Sequence, residues 1–476
     1  MEEVSRGLHY KWIAMIIVSI GSFMTTLDAS IIPISLPELS EVFHVGPATV
    51  LWVFLIYLLV GTGLMLIMGR AGDIIGRKHL YTAGFIIFTL GLGLCPLAQN
   101  ITQLILFRLL ESIGAAMLVA MGMAIVTASF PSRERGKALG ILGAAAGIGL
   151  TSGPILGGFL IDALGWASIF YVRLPIGVIG SAMAWTMLRE QPSANPRGRF
   201  DLWGALTLFG FLTCLLLAVN QGQTQGWTSF FVLGLGTVAI VLLFLFLAVE
   251  KRTAEPVVDL GLFRDRLFAT AAWSHLLFYM AIAAVTFLMP FYLIEGIAYS
   301  PARAGLLLIT IPLLRVIIAP LSGRLYDRLG SFLLCFAGLI LTCLGLFLLS
   351  KLNDASTASD VVLRLAITGL GIGLFVTPNT SAIMGVVGRS RLGTASAMVP
   401  TVRQIGMSIG LAIAGTVFVI SGFRDALLVA LLIGALALLV SLFRREGAKR
   451  GKGVWPIEGE ISISKEQSII DDSGRD

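Results

Sequence analysis

Seven charged or titratable side chains lie inside long apolar runs: Asp28, Arg108, Glu111, Arg173, His275, Arg315 and Arg403. A charge in such a setting is costly and persists where it is paired or functional. Asp28 falls mid-run, where desolvation favours its neutral form and lets it alternate between holding a proton and attracting a cation. Pro33 and Pro37 loosen a helix just beyond it. The plainer alternative is a polar pin to a neighbouring helix. Arg108 and Glu111 are three residues apart and share a helix face, so Glu111 is either a proton carrier or the static partner of Arg108. His275 lies in one run with Tyr279 and Phe287, with Tyr292 near the end of that run and Tyr57 in an earlier one. Aromatic walls around one titratable group suit amphipathic organic cations, although a lone histidine is more often a packing residue. Arg315 and Arg403 can pair with Glu111 or Asp28, or contact anionic substrates.

Other chemistries find no support. No nucleophile–base set or metal cluster is visible, so an enzyme is not expected. Cys95, Cys214, Cys335 and Cys343 all lie in apolar runs without a Cys-x-x-Cys pair, as small buried hydrophobes do.

The elements that position these residues are membrane helices. The chain of 476 residues is 57% hydrophobic and 13% charged, with mean hydropathy +0.92. An average soluble domain carries about 25% charged residues. Apolar runs of ~20 residues, each enough for a helical crossing, recur from end to end. The alternating ~10-residue segments of a barrel are absent. Fourteen spans are predicted, at roughly 12–36, 49–68, 80–98, 101–123, 137–160, 167–188, 201–219, 228–249, 268–293, 303–322, 332–350, 361–384, 394–419 and 425–443. The first is too long for a signal-peptide core and reads as a retained span. With the N-terminus inside, 26 of the 34 basic residues fall in inner segments and only Arg303, Lys351 and Arg424 in outer loops. That asymmetry satisfies the positive-inside rule and puts both termini in the cytoplasm. The net charge of +7 is therefore a topology signal, and no nucleic-acid partner is expected.

A charged, glycine-rich break follows the second span: Gly69, Arg70, Asp73, Gly76, Arg77 and Lys78. Gly323, Arg324, Asp327 and Gly330 repeat its Gly-Arg, its Asp and its closing Gly at a constant offset of 254 residues. The two copies stand eight spans apart, whereas two six-helix halves would separate them by six. The organisation expected is an N-terminal half over 1–190, an inserted hairpin of spans seven and eight with its linkers over 191–262, a C-terminal half over 263–445 and a disordered cytoplasmic tail over 446–476. The break lacks Gly-Lys-Ser/Thr and follows no strand, so it is not a phosphate loop. It reads as a latch, with Asp73 at a neighbouring helix N-terminus and Arg77 and Lys78 at the inner headgroups. In span five Gly149, Gly153 and Gly157 recur every four residues, beside Pro154 and Gly158, a spacing that lets helices approach closely.

Five motifs in order give the chain a resemblance to the major facilitator superfamily, in its fourteen-span drug:proton antiporter branch. They are Leu27-Asp28 through Leu36-Pro37, the charged break at Gly69–Lys78, Arg108-Leu109-Leu110-Glu111, Gly149-x-x-x-Gly153-Pro154-x-x-Gly157-Gly158, and Arg403-Gln404-Ile405-Gly406. Together they cover Trp12 to Phe443. Three positions depart from the branch pattern: Ile74 for a basic residue, Glu111 for Gln and Arg173 for Asn. The resemblance implies an all-α fold of two pseudo-symmetric six-helix halves plus an inserted hairpin. It implies a role for Arg108 in proton coupling, and for the span-five motif in export direction and proton leak.

The expectation is a monomeric secondary transporter in the cytoplasmic membrane of a prokaryote, without a cofactor and driven by the proton gradient. It exports amphipathic drugs or toxic organic cations by alternating access. A same-fold exporter of an endogenous metabolite or organic anion is the first alternative, and a transport-dead sensor or lipid-handling protein the second.

Overall fold

The computed structural model describes residues 2–131, 134–190, 201–253, 260–386 and 392–444. Thirteen of its helical segments are long and apolar enough to cross a bilayer, the last running 45 residues from Met398 to Leu442. That segment breaks at Gly422, where φ is 85°, leaving two arms each long enough for one crossing. Fourteen crossings result.

We number them α1 (Glu2–Val42), α2 (Trp52–Ile75), α3 (Arg77–Leu94), α4 (Ile101–Ser129), α5 (Arg135–Leu164), α6 (Leu174–Met187), α7 (Leu202–Gln225), α8 (Phe230–Glu250) and α9 (Arg266–Phe291). Next come α10 (Pro301–Tyr326) and α11 (Arg328–Leu349), α12 (Ala358–Val386), and α13 (392–421) and α14 (423–442) on either side of Gly422. The first helix is longer than its apolar core predicts, and Pro33 and Pro37 lie within a continuous α1.

The 254-residue repeat extends from sequence into packing. Gly84 of α3 sits where a Cβ would meet Met117 and the Gly114 carbonyl of α4; Gly338 of α11, 254 residues on, abuts Phe375 and the Gly371 carbonyl of α12. Gly91 presses on the Glu111 backbone, and Gly345, at the same offset, on Thr368. Both charged breaks close on a glycine in a conformation other residues rarely adopt, Gly76 at φ 108° and Gly330 at φ 76°.

Between the halves, α5 and α10 meet closely at the end of the bundle opposite the N-terminus, here termed distal. A Cβ on Gly158 would strike the Pro301 carbonyl, and one on Gly305 the Pro154 carbonyl. Towards the proximal end the two helices splay apart. A Cβ on Gly147 would have only Val316 near it, at 3.8 Å, and one on Gly143 or Gly140 would find nothing within 4 Å. The halves therefore enclose a cleft shut distally.

The α7–α8 hairpin lies along the seam between the halves. Leu208, Leu212 and Leu216 of α7 pack with Leu59 of α2 and Ala412 of α13, and Phe209 fills the space beside Gly63. About half of α8 is exposed, with Phe244, Ile240 and Val241 on its surface, as befits a lipid-facing helix.

Gly91→Val places a side chain against Glu111 Cα, 2.6 Å from a Cβ at that position. Overpacking of this kind costs about 1–3 kcal/mol, so the melting temperature of the purified protein should fall by several degrees. Gly140→Ala, in open space, is the matched control and should melt as the parent does. Equal melting of the two variants would contradict this packing.

Candidate functional site

The tight α1–α5 contact presents Asp28 to α4 and α6. Gly149 lies against Thr26, Phe23 and Leu27, Gly153 against Ser30, and Gly157 against Ile31 and Ile34. Ser30 Oγ donates to the Gly149 carbonyl at 3.1 Å. With this stripe of α1 committed to α5, Asp28 points away from it into the N-terminal half.

There Asp28 meets both arginines. Arg108 donates through Nη1 to Asp28 Oδ1 at 2.8 Å and through Nη2 to Oδ2 at 2.9 Å, the bidentate geometry that suits guanidinium and carboxylate. Its Nη1 also reaches Glu111 Oε2 at 2.7 Å and its Nε the Val53 carbonyl at 3.2 Å. Arg173, just before α6, donates to Asp28 Oδ1 at 2.5 Å and through Nε to the Ile169 carbonyl at 2.7 Å. All four side chains are at most 2% exposed. Two cations and two carboxylates sum to zero, the condition under which burying them is tolerable.

The two carboxylates are held unequally. Asp28 accepts three charge-assisted hydrogen bonds from two arginines. Glu111 accepts one, plus a weak contact from Cys95 Sγ at 3.7 Å. Its Oε1 has no hydrogen-bond partner, nor does Arg173 Nη2; Arg173 Nη1 lies 4.0 Å from that oxygen. Glu111 is thus the loosely held member. Sequence reasoning gave Cys95 no role, and its contact with Glu111 depends on α3–α4 packing that no local pattern announces.

Arg315 and Arg403 do not join this cluster. Of the two readings of Arg315 and Arg403, pairing with Glu111 or Asp28 is not what the structure shows: Arg108 and Arg173 take those places. Both lie in the C-terminal half, Arg315 on α10 and Arg403 on α13. His275 is itself buried, beside Tyr279 and Phe375. The aromatic lining is corrected as well. Tyr57 is buried under Arg108, 5.0 Å from ring centroid to guanidinium, and its hydroxyl donates to the Thr25 carbonyl. Phe287 packs with Phe291 and Phe418, and Tyr292 stacks on Phe423 at the distal end. Of Tyr57, Tyr279, Phe287 and Tyr292, none is more than 7% exposed in this conformation.

At the charged break, the side chains of Arg70, Asp73 and Asp327 lie outside the described residues. Arg77 and Lys78 begin α3, and among the described residues the acidic group at that N-terminus is Glu190. Glu190 accepts from the Lys78 backbone N–H at 3.5 Å and lies 3.0 Å from His79 Nδ1, complementing the helix dipole. Sequence reasoning missed Glu190; an acid in an otherwise basic inner loop is the signal. Arg324 is exposed.

This architecture has close counterparts. The family model described as Major Facilitator Superfamily matches residues 18–411 and 271–460. The chain belongs to that superfamily. Among its relatives, the riboflavin transporter RibZ of Clostridioides difficile is 36% identical over 409 residues, covering 86% of this chain and 88% of RibZ. The multidrug resistance protein Stp of Mycobacterium tuberculosis is 35% identical, over 85% of this chain and 75% of Stp. The multidrug transporter protein MdtP of Bacillus subtilis is 30% identical, over 84% and 73%. The transporter also shares its fold with the POT family transporter PepTSo, at TM-score 0.68 and 15% identity over 92% of this chain and 96% of that one.

Removing one cation tests the charge balance. Arg173→Gln leaves a net negative charge buried in the cluster and should cost about 3–5 kcal/mol. Adding Glu111→Gln restores neutrality and should recover a substantial part of that loss. A double-mutant cycle on thermal stability measures the coupling; additive losses would refute an electroneutral network.

Proposed function

We propose that this transporter exports small amphipathic molecules, drugs and toxic organic cations among them, in exchange for protons. The observation that carries this reading is the sealed, electroneutral cluster of Asp28, Arg108, Glu111 and Arg173. One added proton leaves it with a net charge of +1 in an apolar bundle. Such a charge is costly while the helices stay packed and cheaper once they part and admit water, so protonation and opening are linked. Glu111 is the better proton acceptor, because protonating it gives up one charge-assisted bond where Asp28 would give up three. Asp28 then serves as the anchor that re-forms the cluster, and Arg108 and Arg173 as the charges that drive the proton off.

The inner-loop excess of basic residues supports a cytoplasmic N-terminus, in a prokaryotic cytoplasmic membrane. On that orientation the closed distal end faces outward and the splayed end opens to the cytoplasm, the loading state of an exporter. The contacts of Gly158 with Pro301 and of Gly305 with Pro154 are those that must separate when the halves rock. The Glu190 contact at the start of α3 is a natural latch at the opposite end. No cofactor enters this scheme, and a monomer suffices for it.

An endogenous metabolite or organic anion as cargo is a second reading. The arginine pair of the C-terminal half favours it, and the relatives include a riboflavin transporter as well as multidrug transporters.

In proteoliposomes under a pH gradient, Glu111→Gln should lower gradient-driven transport by about ten-fold or more, as expected when an intramembrane proton site is removed. Substrate exchange without a gradient should persist in this variant. Asp28→Asn should lose both. Undiminished gradient-driven transport by Glu111→Gln and Asp28→Asn alike would sink the carboxylate mechanism.

A further inference from the structure

We propose that Arg315, Arg403 and the Nε2–H of His275 form a binding subsite for the anionic group of an organic acid. The proposal deepens the second reading above and rests on the protein being a transporter.

The three residues share one depth. His275 is nine residues into α9, Arg403 eleven into α13 counting from residue 392, and Arg315 eleven before the proximal end of α10. At 1.5 Å per residue each lies about 14–17 Å from that end, near the middle of a bilayer core of about 30 Å. Arg403 is exposed and Arg315 partly so. A guanidinium at that depth faces a water-filled cleft in preference to lipid. The packing of α13 agrees. Gly406 and Gly410 press on the Leu276 and Met280 carbonyls of α9, and Gln404 Oε1 accepts from Thr62 of α2 at 3.3 Å. At about 100° per residue, Arg403 projects between those two contacts, into the gap between the halves.

Nothing among the described residues neutralises these cations. Neither makes a hydrogen bond or ion pair there, in contrast to the fully engaged Arg108. Between residues 263 and 445 the acids are Asp265, Glu295, Asp327, Asp354, Asp360 and Asp425. All six sit at helix ends or in loops, none at this depth. Across the cleft, Asp28 and Glu111 are buried and held by Arg108 and Arg173.

His275 adds a donor of fixed tautomer. Arg444 donates to Asn379 Oδ1, which orients the Asn379 amide so that Nδ2 donates to the Ala271 carbonyl at 3.1 Å. The same Nδ2 lies 3.2 Å from His275 Nδ1, so Nδ1 accepts and Nε2 carries the hydrogen. Nε2 is buried and has no partner. An unsatisfied donor 1% exposed, at the depth of two unpaired guanidinium charges, matches the acceptor-only surface of a carboxylate, phosphate or sulfonate. The class of ligand is a small aromatic or aliphatic body bearing one such group.

Matched probes separate charge from shape. Binding of tritiated 2-naphthoate to the purified full-length protein is measured by scintillation proximity and competed with 2-naphthalenemethanol and with 2-naphthylmethyl-trimethylammonium. The carboxylate should bind at least about ten-fold more tightly than the trimethylammonium, the worth of one charge-assisted hydrogen bond. Arg315→Gln or Arg403→Gln should bring that ratio close to one, while Arg403→Lys, which keeps the charge, should retain most of it. Absent naphthoate binding, a wild-type ratio near or below one, or an unchanged ratio in both glutamine variants would overturn the subsite. Transport is scored separately in proteoliposomes. If the binding preference holds but a pH gradient moves none of the three probes, the subsite stands and proton-driven export fails.

Discussion

Charge neutrality inside an apolar bundle is the constraint on which the rest of this structure depends. An ion removed from water costs several kcal/mol even after relaxation, and four are buried together in the N-terminal half. They persist because they cancel and because nearly every donor and acceptor finds a partner. The exceptions, Glu111 Oε1 and Arg173 Nη2, mark where the balance is weakest. A cluster that is neutral only with both carboxylates ionised is sensitive to a single proton, and on the proposed function that sensitivity links protonation to opening.

Close helix approach does the positioning. The glycines of α5 seat α1 so that its opposite side delivers Asp28 to Arg108 and Arg173. One residue further along the same motif, Gly158 lets α5 touch α10 across the boundary between halves. One stretch of sequence thus sets the geometry of the ion cluster and closes the distal end. The α7–α8 hairpin covers the lateral seam, with Phe209 plugged into the space beside Gly63, and shields the α2–α13 contact from lipid.

The two halves repeat in backbone packing and differ in electrostatics. Glycine contacts between α3 and α4 recur between α11 and α12 at the same 254-residue offset. The N-terminal half buries balanced charge. The C-terminal half carries cations without carboxylates at the same depth, and Arg444 stands 254 residues after Glu190, reaching the Ser331 carbonyl at the start of α11. On the proposed function, the half with balanced charge responds to protons and the half with unpaired cations selects cargo.

The sequence by itself determined the membrane class, the number of crossings, the duplicated halves and the inserted hairpin. These follow from composition, run length and a constant offset, all properties of the chain taken in order. It also singled out Asp28, Arg108, Glu111 and Arg173, because a charge within an apolar run is conspicuous wherever it lies. Tertiary structure alone decided the pairing. Asp28 and Arg108 are 80 residues apart and Asp28 and Arg173 are 145 apart, and which helix faces meet depends on packing that no local spacing encodes. For the same reason Arg315 and Arg403 could be read either as partners for the carboxylates or as anion contacts, Tyr57 as cavity lining and Cys95 as a small buried hydrophobe, while Glu190 went unnoticed. A residue's type reports what its side chain can do, but its neighbours are fixed by how helices far apart in the chain come to lie together.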